Sequence, residues 1–307
     1  MITFRHTVEA DLKSGCIVTM GSFDGLHLGH QTLLEATRKE AERRGLPAVM
    51  VTFDPHPREV LTGRRASLLT TVAERSRLAR QFGMDGVSVL AFTSDVAALD
   101  PDVFVRRVLL DGLNMKGTVV GHDHHFGRGR TGNVVVLREL SADLGFEVTA
   151  LPALTTDGQV ISSSRIRVAL GMGDVHDAND LLGYAYGLTG TVVHGAGRGR
   201  TIGFPTANLQ SEDERKVVPD RGVYAVHVYL DDGSVHDGMM NIGYRPTFGG
   251  TGMHLEVNIL DWSGDLYGRE VRVEYAQRIR SERKFDGIEA LVAQLNEDRE
   301  RCRAALR

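Results

Sequence analysis

The sequence predicts an α/β domain with a parallel, Rossmann-like sheet, followed by a small antiparallel β-barrel with a packed C-terminal helix. Three observations predict it. The chain has 307 residues, more than one average domain. Up to about residue 184, apolar β-rich runs alternate with helical segments. From about Leu188 the apolar period changes to two. Residues 1–184 and 185–307 are therefore the two expected domains.

In the first domain Cys16–Met20 reads as a short strand, and a helical pattern from about Gln31 to Arg44 is closed by Gly45. Ala48–Phe53 is the next strand. Val72–Phe82 reads as a helix ended by Gly83, and Val87–Phe92 as a strand. Pro101–Leu110 reads as a helix with Pro in its first turn and Asp100 as N-cap. Thr118–Val120 is a strand, Val134–Leu144 a helix ended by Gly145, and Phe146–Leu151 a strand. Strands separated by helices of this length imply βαβ units and a parallel sheet. Ligands bind such sheets beyond the carboxyl ends of the strands. The segments leaving Gly21, Asp54 and Gly121 are thus expected to face one site. Two short helices, Ser164–Leu170 and Asp174–Leu182, lead to the second domain.

There Leu188–His194, Val223–Leu230, Val235–Ile242, Leu255–Leu260 and Val271–Ala276 read as strands, with a hairpin signal at Asp232-Gly233. One amphipathic helix, from about Gly287 to Leu306, carries apolar Ile288, Leu291, Leu295 and Cys302. Several short strands and one helix are most economically closed as a barrel.

Composition narrows the function classes. Hydrophobic residues make up 42% and charged residues 25%, the balance of a soluble globular protein. A formal net charge of −4 draws the chain to neither nucleic acid nor membrane, and neither is expected as a partner. Two distant cysteines, Cys16 and Cys302, argue against a disulfide framework or a cysteine-based zinc site and fit a reducing, cytoplasmic setting. The start, Met1-Ile2-Thr3-Phe4-Arg5-His6, has no long apolar stretch, so no export signal is expected. Self-association is left open.

The first chemical constellation is Gly21-Ser22-Phe23-Asp24-Gly25-Leu26-His27-Leu28-Gly29-His30, between a strand and a helix. Its glycines permit close approach of a ligand. His27 and His30, three apart, share a face at a helix start, where N–H groups and the dipole favour phosphate. Two imidazoles there can donate to triphosphate oxygens as charge builds in an adenylyl-transfer transition state. Zinc binding is an alternative, although no third ligand is fixed by spacing. A second element is Ile161-Ser162-Ser163-Ser164-Arg165-Ile166-Arg167. Its serines can cap a helix or bind phosphate, and Arg167 can add a charge-assisted contact. A third is the rigid loop Phe53-Asp54-Pro55-His56-Pro57. Together these resemble the adenylyltransferase half of bacterial bifunctional riboflavin kinase/FAD synthetases, whose sheet belongs to the nucleotidyltransferase superfamily. The resemblance implies ATP binding by Gly21, Ser22, Phe23, Asp24, Gly25, His27, Gly29, His30, Ser162, Ser163, Ser164 and Arg167. It gives catalytic roles to His27, His30, Ser164 and Arg167, and a flavin site to Phe53, Pro55, His56, Asp123 and Phe126. One departure stands out. The family's Asp-Phe-Arg-Phe-Gly pattern is here Asp123-His124-His125-Phe126-Gly127. That change puts the flavin or nucleotide specificity in question.

The second constellation is His194-Gly195-Ala196-Gly197-Arg198-Gly199-Arg200-Thr201-Ile202-Gly203-Phe204-Pro205-Thr206-Ala207-Asn208. A glycine-rich loop with arginines can wrap phosphates through backbone N–H groups. It is not a P-loop, since no Gly-Lys-Ser/Thr follows. Thr206 and Asn208, two apart, would point the same way on an extended segment and could offer two neutral oxygens to Mg²⁺. Phe204-Pro205-Thr206-Ala207-Asn208 resembles the riboflavin kinase signature. Gly222-Val223-Tyr224, Asn241 to Phe248 and Arg280 to Asp286 extend the match. The resemblance implies ATP binding by His194, Gly195, Gly197, Arg198, Gly199, Arg200, Gly203, Pro205 and Thr206. It places Mg²⁺ on Thr206 and Asn208. Arg280, expected in the loop before the last helix, becomes a flavin or phosphate contact, and Phe285 a flavin contact. By the same match Glu256 is the general base for the ribityl hydroxyl, with Asn258 replacing a usual histidine.

The expected activity is therefore phosphorylation of riboflavin to FMN in the second domain, then adenylylation of FMN to FAD in the first, with ATP as co-substrate. A monofunctional kinase with an altered first domain is the alternative. A flavin-binding regulator or an RNA-binding relative is the competitor from another class.

Overall fold

The computed structural model describes every residue except 1, 9, 157, 196 and 245–251. The chain divides into two compact units, Met1–Ser163 and Ser164–Arg307.

The first unit is a six-stranded sheet of β1 (Phe4–Val8), β2 (Cys16–Met20), β3 (Ala48–Asp54), β4 (Gly86–Ala91), β5 (Met115–Gly121) and β6 (Glu147–Leu151). The order is β1-β4-β3-β2-β5-β6. Strands β2 to β6 pair in parallel, as the alternation of strands and helices predicts. β1, which no apolar pattern marks, adds antiparallel to β4. Every residue of β2 is buried, which explains its unbroken apolar run: a parallel sheet is covered on both faces. The strand order reverses between β2 and β5, so the loops leaving Met20 and Gly121 flank the switch point. Thr155–Thr156 and Gln159–Val160 form a small hairpin, β7 and β8.

The first helix spans Leu28–Arg44 and ends on Gly45 in the left-handed conformation. It starts three residues earlier than predicted because His27 caps it. The helix Val72–Gln81 opens with a Thr71/Glu74 capping box. Two expectations near residue 100 need correction. The helix beginning at Pro101 is regular only to Phe104 and continues as a wider π turn over Val105–Leu110. Asp100 makes no side-chain cap; its carboxylate is drawn to Arg128, 2.8 Å away.

The helix Ser163–Gly171 begins on the last residue of the first unit; the rest of it and the helix Val175–Leu182 belong to the second. Asn179 ties this pair to the barrel. Its amide donates to the Tyr275 carbonyl at 2.9 Å and accepts from Tyr186 N–H at 2.7 Å. The change of sequence texture near residue 184 marks a change of period, not the edge of packing.

The second unit closes β9 (Gly187–Val193), β10 (Ala207–Ser211), β11 (Gly222–Tyr229), β12 (Val235–Tyr244), β13 (Met253–Ile259) and β14 (Glu270–Ser281) into a barrel ordered β10-β13-β12-β11-β14-β9. β10 has too few apolar residues to be legible, yet it seals the barrel between β9 and β13. Tyr224, Val226, Met240, Val257, Val273 and Tyr275 are buried on one face of the wall. Val223, Ala225, Met239 and Ile279, on the alternate face, pack with Cys302 of the helix Ile288–Ala305. Of the apolar residues expected on its inner face, Leu295 and Cys302 pack on the barrel and Ile288 does not. Ile288 is 68% exposed, and Gln294, Asp298 and Cys302 face inward. Among the described residues no helix is long and apolar enough to cross a membrane.

Candidate active sites

In the first unit the chain leaves β2 and makes a tight loop before the first helix. Phe23 (φ 47), Gly25 (φ 86) and Leu26 (φ 38) all have positive φ, strained for the two non-glycine residues. The Asp24 carboxylate, 1% exposed, is an internal anchor. It accepts from Leu69 N–H at 3.1 Å, Thr70 N–H at 3.0 Å and the Thr70 hydroxyl at 3.3 Å. Asp24 is therefore tied to the fold, whereas the resemblance gave it to ATP. Ser163 is also engaged, its hydroxyl donating to the Asp24 carbonyl at 2.8 Å.

His27 and His30 stack with ring centroids 3.7 Å apart, as their spacing predicts. Phe23 meets His30 edge-on at 5.2 Å. His27 Nδ1 accepts from His30 N–H at 3.4 Å. Among the described residues His30 Nδ1 is enclosed without a hydrogen-bond partner. Burial pushes His27 down to about 4. Burial also holds His30 well below the ordinary imidazole range, with His27 and Arg75 adding repulsion. Both rings are therefore neutral near pH 7. Gly29 packs closely under the stack: an added Cβ would sit 3.3 Å from the His27 ring. Ser162 is half-buried; Ser164 is exposed and, with Arg167, opens the second unit.

The predicted flavin residues separate into two kinds. Phe53, at the end of β3, packs edge-on against Phe92 at 5.4 Å. Pro55 precedes His56, whose Nδ1 caps the helix Pro57–Thr62 by accepting from Arg58 N–H at 3.1 Å. Asp123 is exposed. Phe126, in contrast, is 7% exposed in the core, with Phe104 at 5.8 Å. His124 stacks on Phe126 at 5.8 Å, and burial lowers it to about 4. It stands in for the family's aromatic as a neutral ring. His125 is exposed, with Nδ1 2.7 Å from the Asp123 carbonyl. It keeps the family's basic position open to solvent.

In the second unit, strand register builds a row that no sequence spacing reveals. Asn208 of β10 lies opposite Glu256 of β13, and Glu256 opposite Asn241 of β12. Asn241 faces Val223 of β11, which faces Arg280 of β14. Thr206, Asn208, Glu256 and Asn241 are all half-buried. Among the described residues none of these four side chains has a hydrogen-bond partner in the protein. Asn258 turns back into the wall, its amide donating to the Pro205 carbonyl at 2.6 Å.

The glycine-rich segment lies against this row. A Cβ on Gly195 would fall 2.1 Å from the Asn208 amide nitrogen. One on Gly199 would meet the Phe204 carbonyl at 2.1 Å and Thr206 Oγ1 at 3.4 Å. Gly197 adopts φ 67, and Gly203 is likewise left-handed. His194, Arg200 and Pro205 are exposed, and the His194 ring stacks on Tyr267 at 3.9 Å. The Arg198 side chain, Ala196 and the Arg245-Pro246-Thr247-Phe248 stretch lie outside the described residues.

Arg280 is placed differently from the expectation. It sits in β14, not in a loop, and its guanidinium grips Asp298, fully buried on the last helix, at 2.7 to 3.0 Å. Gln294 donates to the same carboxylate at 2.8 Å, and Arg283 donates to Gln294. Phe285 lies under both arginines, 5.6 Å from Arg280 and 4.8 Å from Arg283. Asn241, Gln294, Asp298 and Arg75 were given no role by the sequence. Asn241 is a polar residue in an apolar strand, whereas Arg75, Gln294 and Asp298 lie on charged helices where nothing in the sequence sets them apart. Among the described residues no three His, Cys, Asp or Glu side chains gather to hold a metal.

The FAD synthetase family matches residues 9–165, and the riboflavin kinase family matches residues 182–306. A bifunctional riboflavin kinase/FMN adenylyltransferase of Pseudomonas fluorescens is 40% identical over 291 residues, covering 94% of this chain and 93% of that one. Its counterpart in Bacillus subtilis is 38% identical over 306 residues, covering 97% and 95%. A crystal structure described as a macrolide-efflux protein from Streptococcus pneumoniae aligns with a TM-score of 0.87 and 36% identity, covering 97% of this chain and 96% of that one.

Proposed function

This chain belongs to the bifunctional riboflavin kinase/FMN adenylyltransferase family, and on that premise we propose how its residues divide the work. It phosphorylates riboflavin to FMN with ATP, then adenylylates FMN to FAD with release of pyrophosphate. The first step is assigned to the barrel and the second to the α/β sheet, residues 185–307 and 1–184 respectively. The observation that carries the assignment is the row Asn208, Glu256, Asn241 beside Thr206 and the glycine loop. It gathers one carboxylate and three neutral polar groups, all uncommitted, where a phosphate loop passes.

In the kinase step Glu256 takes the proton of the ribityl hydroxyl, and the His194 to Gly203 loop holds the ATP phosphates. Thr206 and Asn208 offer neutral hard oxygens, which suits Mg²⁺, and the glycines leave that space open. Mg²⁺ held there would neutralise phosphate charge. Arg280 acts on the flavin through its place beside the row and its anchor to Asp298, with Phe285 as the apolar partner.

In the adenylyl step the FMN phosphate attacks the α-phosphate of ATP. Neutral His27 and His30 donate to the phosphate oxygens, and Ser164 and Arg167 supply further donors. Phe53, Pro55, His56 and Asp123 remain the flavin assignment. Phe126 supports His124 and the wall behind that loop. We assign the protein to the cytoplasm, with no nucleic-acid or membrane partner. A kinase with a silent first domain is not favoured, because both the FAD synthetase and the riboflavin kinase families match this chain and His124 keeps a stacked ring at the altered position.

Incubation with riboflavin, ATP and Mg²⁺, followed by separation of the flavins, tests the reading. FMN should appear first and FAD after it. FMN accumulation with no FAD, even on supplying FMN, would restore the monofunctional alternative. Flavin bound without ATP turnover would favour a regulator.

A further inference from the structure

The adenylyl loop is held by a second, cationic anchor that the signature does not include. Arg75 is 1% exposed, the largest fully buried side chain described. Its Nη1 donates to the Ser22 carbonyl and to Thr52 Oγ1, both at 2.7 Å. The Thr52 hydroxyl in turn donates to the same Ser22 carbonyl at 3.0 Å. A guanidinium this deep is costly unless its hydrogen bonds are matched, so its presence under one particular carbonyl calls for a reason. The neighbouring Asp24 is held from the same stretch of chain, by Leu69 and Thr70. Ser22 and Asp24 bracket Phe23, which carries the positive φ that only a well-determined surrounding can maintain.

The geometry has a direct consequence for the loop. A peptide group is planar and trans, so turning the Ser22 carbonyl into the core turns the Phe23 N–H the opposite way. Two staples, one cationic and one anionic, thus set the two peptides on either side of Phe23. Arg75 also lies near enough to His30 to repel its proton.

We infer that Arg75 is a positioning residue for adenylyl transfer: it fixes the Ser22–Phe23 peptide of the nucleotide loop from behind, with Thr52 as its relay and Asp24 as the opposing staple. This rests on the reading of Gly21 to His30 as the ATP-phosphate loop. Arg75 touches no substrate. It preserves a strained conformation whose loss would displace the loop by a fraction of an ångström to an ångström, enough to cost about 10²-fold in rate.

The test uses the full-length protein, whose kinase reaction serves as an internal control for folding and concentration. Three variants are compared with the parent: Arg75→Met, Arg75→Lys and Thr52→Val. Arg75→Met should lower kcat for FMN adenylylation about 10²-fold at saturating ATP and FMN, with FMN formation from riboflavin unchanged. Arg75→Lys restores a buried cation that can donate from a single nitrogen but lacks the planar fork, and should recover about tenfold of that loss. Thr52→Val, which keeps the shape and removes the relay, should lower kcat several-fold, about 3- to 10-fold, at an unchanged melting temperature. A merely structural role would lower the melting temperature in all three without a graded kcat and without rescue by lysine. If Arg75→Met does not fold, the other two variants decide by the same criterion. The double variant His27→Ala/His30→Ala separates the layers of the argument. If it loses FAD synthesis while all Arg75 and Thr52 variants keep kcat within threefold of the parent, the inference fails and the site stands. If it too keeps FAD synthesis, the loop reading fails and the inference with it.

Discussion

The two proposed centres are built on opposite plans. The α/β centre is buried and rigid: stacked neutral imidazoles, a strained loop, and charged side chains used as internal staples. The barrel centre is half-open: three uncommitted polar side chains on three neighbouring strands and a fourth, Thr206, just before β10, with a loop of glycines laid against them. The difference teaches where each chemistry finds its specificity. A parallel sheet offers only its loops at the strand ends, so the site must be made by bending one loop hard and holding it. A barrel offers its own wall, so register alone aligns the groups, and the loop has only to cover them. In the first plan burial lowers the proton affinity of both imidazoles.

The largest break in this comparison should come from Glu256→Gln. A ribityl hydroxyl is a poor nucleophile, and glutamine keeps the shape but accepts no proton. FMN formation should fall by about 10²- to 10⁴-fold, with FMN adenylylation nearly intact. Steady-state kinetics on each half-reaction, with circular dichroism as a folding control, reads this out. Near-normal kinase turnover would return Glu256 to a plain surface role.

Replacing His27 and His30 by alanine should have the mirror effect. FAD formation should drop by about 10²- to 10³-fold while the kinase rate holds. A parallel loss of both activities would mean that the stack supports the fold rather than the reaction.

Acid sensitivity sharpens the contrast by a smaller amount. His27 has a folded value near 4 against an ordinary value of 6.5. Below 6.5 the unfolded chain takes up a proton that the folded one refuses. Stability is therefore full above 6.5 and is lost as pH falls toward 4, by at most about 1.4 kcal/mol per pH unit for this ring. His30 and His124 shift in the same direction. In the second unit the buried phenols Tyr224 and Tyr275 are shifted upward, with a cost only in strong alkali. Heat inactivation of the two half-reactions at pH 5 and pH 7 should show FAD formation losing more on acidification than FMN formation. Equal losses would erase the asymmetry.

The smallest effect concerns the boundary between the units. Fragments beginning at Ser164 and at Tyr184 should both make FMN. The longer should melt higher, because Asn179 then remains to bond Tyr275 and Tyr186. Indistinguishable melting would mean that the two short helices contribute nothing to the barrel.

Much of the fold was legible in the residues. Val134–Leu144 was read to the residue, since Asn133 caps it and Gly145 ends it. The stacked histidines followed from a spacing of three at a helix start. What stayed hidden is instructive. β1 and β10 escaped because their stability comes from partners, β4 and β9, about 80 and 20 residues away in sequence, and not from their own pattern. Arg280 was read as a loop residue because nothing in its own stretch of chain marks its buried partner, Asp298, on the last helix. The row of Asn208, Glu256 and Asn241 is a product of strand register, which one-dimensional spacing does not carry. Arg75 looked like one more cation on a charged helix.

The way the barrel closes has a bearing on how the chain is made. β9 pairs with β14, so the second unit is not sealed until residues 270–274 exist. All six strands of the first sheet, by contrast, precede residue 152. On a ribosome, where domains fold from the N-terminus as they emerge, the FAD-forming half has its full complement of strands while the FMN-forming half is still open. A message or nascent chain interrupted after the helix Ser163–Gly171, which carries Ser164 and Arg167, and before residue 270 yields a protein able to finish FAD but unable to start it. Such a fragment would live on FMN made by intact copies of the same enzyme.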